Sequence, residues 1–68
     1  MAFEDLCQWL QYLEFDERTR GSHHLFRKSG IIELINLQRE GGKAKVYQVR
    51  QVRAVLLTYR LAGEGGED

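Results

Sequence analysis

The sequence predicts an α+β two-layer sandwich in the order helix, three antiparallel strands, helix, with both helices on one sheet face. Three observations carry this. Apolar residues recur at helical spacing in residues 3–13 and again in 46–61. Three short strand-like runs lie between them, separated by two-residue turn signals, Gly21-Ser22 and Ser29-Gly30. A chain of 68 residues has room for one thin core only, so the elements must share it.

The first helix is FEDLCQWLQYL, residues 3–13. Phe3, Leu6, Cys7, Leu10 and Leu13 fall on one arc, with Trp9 at its edge. Glu4 and Asp5 lie in the first turn, where the helix dipole favours negative charge. Cys7 sits on the apolar arc and reads as a small buried hydrophobe rather than a nucleophile. Residues 14–20 leave the helical pattern. Phe15, Glu17 and Thr19 alternate with Asp16, Arg18 and Arg20, which predicts an edge strand. Gly21-Ser22 turns the chain into a second strand, 23–28. Residues 31–37, IIELINL, are apolar at both parities apart from Glu33 and Asn36, which predicts the best-buried strand. QREGGKAK, 38–45, is a basic glycine-containing loop. The second helix spans 46–61, with Val49, Val52, Val55, Leu56 and Tyr59 on its apolar arc and Arg50, Arg53 and Arg60 along a flank. Tyr47 reads as packing on the sheet edge, with base stacking as its alternative. Leu57 falls among the arginines and is expected to be exposed. Residues 1–61 thus form one domain, and 62–68, without an apolar side chain beyond Ala62, a disordered acidic tail.

Composition narrows the function. No apolar run is long enough for a membrane span, and no basic stretch followed by an apolar run marks a secretory signal. A single cysteine forms no internal disulfide, which suits a cytoplasmic protein. The spacing of Cys7, His23 and His24 lacks the separated ligand pairs of a structural zinc motif, and no cofactor motif is present, so neither a metal nor a cofactor is expected. The net charge of zero conceals a strong asymmetry. Residues 1–17 hold five acidic side chains and no basic one, whereas 18–60 hold all ten basic side chains against only Glu33 and Glu40. A basic midsection is the footprint of a phosphate-binding surface, and equally of a solvated face balanced by an acidic helix.

The chain's only histidines are adjacent, in Arg20-Gly21-Ser22-His23-His24-Leu25-Phe26. This run, the helix before it, and the later Gly42-Lys43-Ala44-Lys45-Val46-Tyr47-Gln48-Val49-Arg50-Gln51-Val52-Arg53 resemble the HicA toxins of bacterial toxin–antitoxin systems. The resemblance covers residues 3–61. It implies a double-stranded-RNA-binding-like fold, cleavage of mRNA as an endoribonuclease, and neutralisation by a HicB-family antitoxin. The family's functional histidine, two residues after the glycine, falls on His23, and its aromatic on Phe26. Many members carry a second histidine in a following His-Pro-Asp-Gly-like turn. Lys28-Ser29-Gly30 stands there instead, so no general acid is assigned.

The chemistry of the residues agrees. Imidazole is the side chain best poised to take a 2′-hydroxyl proton near neutral pH, and such assistance supplies ~10²–10⁴-fold. Arg20, Ser22, His24, Arg27, Lys28, Lys43, Lys45, Arg50 and Arg53 are the candidate RNA contacts, mainly to phosphate. The amides that open the second helix add a further anion site. Strand alternation sends His23 and His24 to opposite sheet faces. If Phe26 is core, His24 shares its face and His23 is exposed together with Leu25 and Arg27. A histidine in a short strand also serves simply as a hydrogen-bonding structural residue, the role expected of His24. Two other functions fit the same pattern: a non-catalytic RNA-binding module and a protein-interaction domain.

Overall fold

A computed structural model describes residues 1–60. Expectations for Leu61 and for the 62–68 tail lie outside those residues. The element order is α1 (Phe3–Tyr12), β1 (Asp16–Arg20), β2 (His23–Arg27), β3 (Ile35–Gln38) and α2 (Val46–Thr58). The strands form an antiparallel sheet in the order β1-β2-β3. This is the expected α+β arrangement, with both helices against one sheet face. The core joins Phe3, Leu6, Cys7 and Leu10 of α1 to Phe26, Ile35 and Leu37 of the sheet and Val52, Val55 and Leu56 of α2. Among the described residues no helix is long and apolar enough to cross a membrane.

Helix α1 lacks a capping side chain at Ala2. The β3–α2 loop supplies partners instead: Phe3 N–H donates to Gly42 O at 3.0 Å and Ala44 N–H to Met1 O at 2.9 Å. At the other end the helix stops in a Schellman turn. Phe15 N–H donates to Leu10 O at 3.0 Å and Glu14 N–H to Gln11 O at 2.8 Å. Glu14 takes the left-handed position at φ 71°, and Phe15 and Leu10 bury together in the core. Residues 14 and 15 therefore belong to the helix stop, and the first strand begins only at Asp16, two residues later than expected.

The β1–β2 hairpin turns on Gly21 at φ 58°, a positive angle at the first of two loop positions, as two-residue hairpins of the II′ kind require. The connection from β2 to β3 is longer than the sequence suggests. Gly30 turns at φ 89°, and Ile31 N–H donates to Lys28 O at 3.0 Å. Residues 31–34 then run as a loop, not a strand. Ile31 packs on the core, but Ile32 is 89% exposed. Tyr59 Oη accepts from Ile32 N–H at 3.4 Å and donates to Glu33 Oε1 at 2.6 Å, so the loop is tied to the end of α2. The strand proper, Ile35–Gln38, alternates buried and exposed residues and lies at a sheet edge; the central strand is β2.

Helix α2 is fastened at its start by Gln48, a buried polar residue. Its Oε1 accepts from Lys45 N–H at 3.0 Å and its Nε2 donates to Gln38 O at 2.9 Å. The amide thus satisfies an orphan helix donor and links α2 to the end of β3. Val49 and Tyr59 pack only at the margin of the core. Tyr47 is 62% exposed and does not pack on the sheet edge. Leu57 is exposed, as expected.

Candidate nucleic-acid interface

The register assigns each strand residue to a face. Across the three strands, Thr19, His24 and Leu37 form one row, and Glu17, Phe26 and Ile35 the next; these point toward the helices. The opposite face carries the rows Arg20–His23–Gln38 and Arg18–Leu25–Asn36, then Asp16–Arg27. Among the described residues no helix covers it: all of these residues are exposed except Leu25, which is half-buried.

His23 is the only imidazole on this open face. Its Nδ1 lies 3.2 Å from Asn36 Oδ1, diagonally across β3. An amide oxygen accepts, so the ring donates through Nδ1, and in the neutral tautomer this leaves the lone pair on Nε2. Arg20 stands beside His23 in register, with Arg18 and Arg27 farther along the same face. The four ion pairs among the described residues involve none of these three arginines. Asp16 is the only carboxylate whose strand position faces them. Arg18, Arg27, Leu25 and Leu34 line a groove of ≈ 650 Å³ alongside, together with the carboxylates Asp16 and Glu17. Guanidinium groups beside two leucines suit a phosphate backbone with a base or sugar against the apolar side chains.

His24 lies on the other face. Its Nδ1 stands 2.6 Å from Glu17 Oε2, and its ring meets Phe3 edge-on with centroids 5.1 Å apart. Gln11 Nε2 donates to the second oxygen of the same carboxylate. The side chains of His24 and Glu17 are only 13% and 18% exposed.

The remaining candidates divide. Arg20, His23 and Arg27 share the open face, and Ser22 lies at its edge in the hairpin turn, accepting a 3.5 Å hydrogen bond from Gln38 Nε2. Lys28 does not join them: its Nζ lies 3.9 Å from Glu14 and 6.0 Å from the Phe15 ring centroid. Lys45 pairs with Glu40 at 3.4 Å. Lys43 is exposed in the β3–α2 loop, and Arg50 and Arg53 are exposed on α2, in the helical layer. The candidate set omitted Arg18, Asn36 and Gln38. The alternation of Asp16, Arg18 and Arg20 along β1 was the available signal for Arg18. The partners on β3 depended on a strand boundary that periodicity misplaced.

Comparison with protein-family models, with curated proteins and with solved structures returned no match.

Proposed function

We propose that this protein is an RNA-cleaving toxin of the HicA type, binding RNA on the open sheet face and cutting it with His23. The observation that carries the proposal is the exposed imidazole held through Nδ1 by Asn36, in register with Arg20, on a face that also carries Arg18 and Arg27. In this mechanism His23 Nε2 takes the proton of a 2′-hydroxyl. The 2′-oxygen attacks the adjacent phosphorus, the P–O5′ bond breaks, and a 2′,3′-cyclic phosphate forms. The 5′-oxygen recovers a proton from the imidazolium or from water. The arginines stabilise the charge that builds on the phosphoryl oxygens. Base and cations both come from the chain. A HicB-family antitoxin covering the same face would neutralise it, and a cytoplasmic setting suits both mRNA and a single free thiol.

A non-catalytic RNA-binding module is the second function, favoured by one observation: the open face holds no second imidazole to act as the acid. Incubating the purified chain with single-stranded RNA in the presence of a chelator, and expressing it in bacteria, separates the two. His23→Ala should abolish cleavage and growth arrest, while His24→Ala retains catalysis to the extent that it stays folded. Cleavage that survives His23→Ala sinks the catalytic assignment. RNA bound but left intact by the native chain establishes the binding module.

A further inference from the structure

On the helix-facing side of the sheet, behind the proposed RNA surface, three ligand-type side chains converge from three elements. These are Cys7 of α1, Glu17 of β1 and His24 of β2. A sulfur, a carboxylate oxygen and a ring nitrogen all lie within 4.8 Å of one another. We propose that this cluster is a binding site for a divalent transition ion, zinc first, which staples α1 to the sheet.

One thiolate, one imidazole and one carboxylate suit a borderline-soft ion of tetrahedral preference and leave a fourth position for water. The cluster is also buried. Cys7 is 5% exposed, and Glu17 and His24 keep 18% and 13% of their side chains exposed. The ligands are largely withdrawn from bulk water, and Glu17 and His24 keep a part of their surface exposed. Zinc–ligand bonds of about 2.0–2.1 Å place tetrahedral nitrogen and oxygen donors about 3.3 Å apart. The His24 Nδ1–Glu17 Oε2 separation is 2.6 Å. Replacing the shared proton with an ion therefore requires these atoms to part by under an ångström. Gln11, bonded to the other carboxylate oxygen, holds Glu17 in place as an outer-shell partner. A domain this small has a thin core, and a structural metal is one of the few devices that reinforces such a fold.

Binding displaces a proton. Burial, with Glu17 adding to it, pushes the Cys7 thiol up to about 11, so the metal-free cluster holds a neutral thiol. The ion takes its place on sulfur and releases that proton to solvent. Affinity should accordingly rise with pH. No reaction is assigned to the ion. Glu17 and His24 face the helices and Cys7 of α1, whereas His23 faces the opposite way.

Titration of the full chain with Co²⁺ under reducing conditions provides the test. One equivalent should produce a sulfur-to-cobalt charge-transfer absorption, and Zn²⁺ should bleach it and raise the melting temperature. Cys7→Ser should abolish the band. His23→Ala, on the far face, should leave it unchanged. Glu17→Gln, which keeps the shape of the cluster, should weaken binding by ~10-fold or more, and serves if the cysteine variant fails to fold. A native chain with no charge-transfer band overturns the proposal. So does a band lost in His23→Ala but kept in Glu17→Gln, because the ion would then sit on the exposed face.

Discussion

At the scale of the residue, two adjacent histidines acquire different chemistry because a strand alternates. His23 stands on an open face with Asn36 as its hydrogen-bond partner, and His24 turns inward to Glu17 and the edge of Phe3. Cys7 has a consequence for stability. Its thiol is held up at about 11 in the fold, against an ordinary value of 9.0 in the unfolded chain, chiefly by burial. The folded form therefore binds this proton more tightly. Its contribution is fully present below pH 9.0 and fades as pH climbs toward 11. Tyr59, whose hydroxyl is raised by its bond to Glu33, titrates in the same direction, so the comparison must isolate the thiol. Melting the metal-free chain between pH 8 and 11 should show a steeper alkaline loss for the native protein than for Cys7→Ala. Parallel curves would remove the buried-thiol account.

At the scale of the element, helix stops and turns decide the boundaries. Glu14 occupies the left-handed position of the α1 Schellman turn, a place that costs a side-chain-bearing residue about 1–2 kcal/mol and suits glycine. Glu14→Gly should raise stability by about 1 kcal/mol, measured by denaturant midpoint at constant slope. The ion pair it removes, Glu14–Lys28 at 3.9 Å with Glu14 largely exposed, subtracts little. A lowered midpoint would mean that the turn does not set the end of this helix. Gln48 explains in the same way why α2 begins at Val46: the amide caps the helix and reaches the last carbonyl of β3, so helix start and strand end are one joint.

At the scale of the whole molecule, the sheet separates two chemistries. One face carries the exposed imidazole and three arginines that form no ion pair among the described residues; the other carries the core and the Cys7–Glu17–His24 cluster. Acidic side chains concentrate in α1 and at the β1 entrance, so a near-neutral chain still presents a basic face. RNA affinity should therefore fall steeply with salt. Each of Arg18, Arg20 and Arg27 changed to Gln should reduce the slope of log affinity against log salt by about 0.7, if each neutralises one phosphate of a single strand. Arg50→Gln on α2 should leave that slope unchanged. If Arg50 and not the sheet arginines controls the slope, RNA lies on the helical layer and the open face is free for a protein partner.

The sequence by itself determined the element order, the apolar faces of both helices, the Gly21-Ser22 hairpin and the opposite orientation of His23 and His24. Each follows from a period or a turn preference expressed within a few neighbouring residues. Even the place of Leu25 on the open face follows from alternation once Phe26 is core. The tertiary structure alone decided the rest. Ile31–Leu34 is strand-like by composition, but a glycine turn and the Tyr59 hydroxyl hold it as a loop, which shortens β3 and places Asn36 against His23. Lys28 and Lys45 are cations of the basic segment in sequence, yet lie within 4 Å of carboxylates in the fold. Cys7, Glu17 and His24 show no ligand spacing along the chain and meet only because α1 packs across β1 and β2. Periodicity is a property of one segment, whereas a site is a meeting of several, and the meeting depends on register and packing that no single segment encodes.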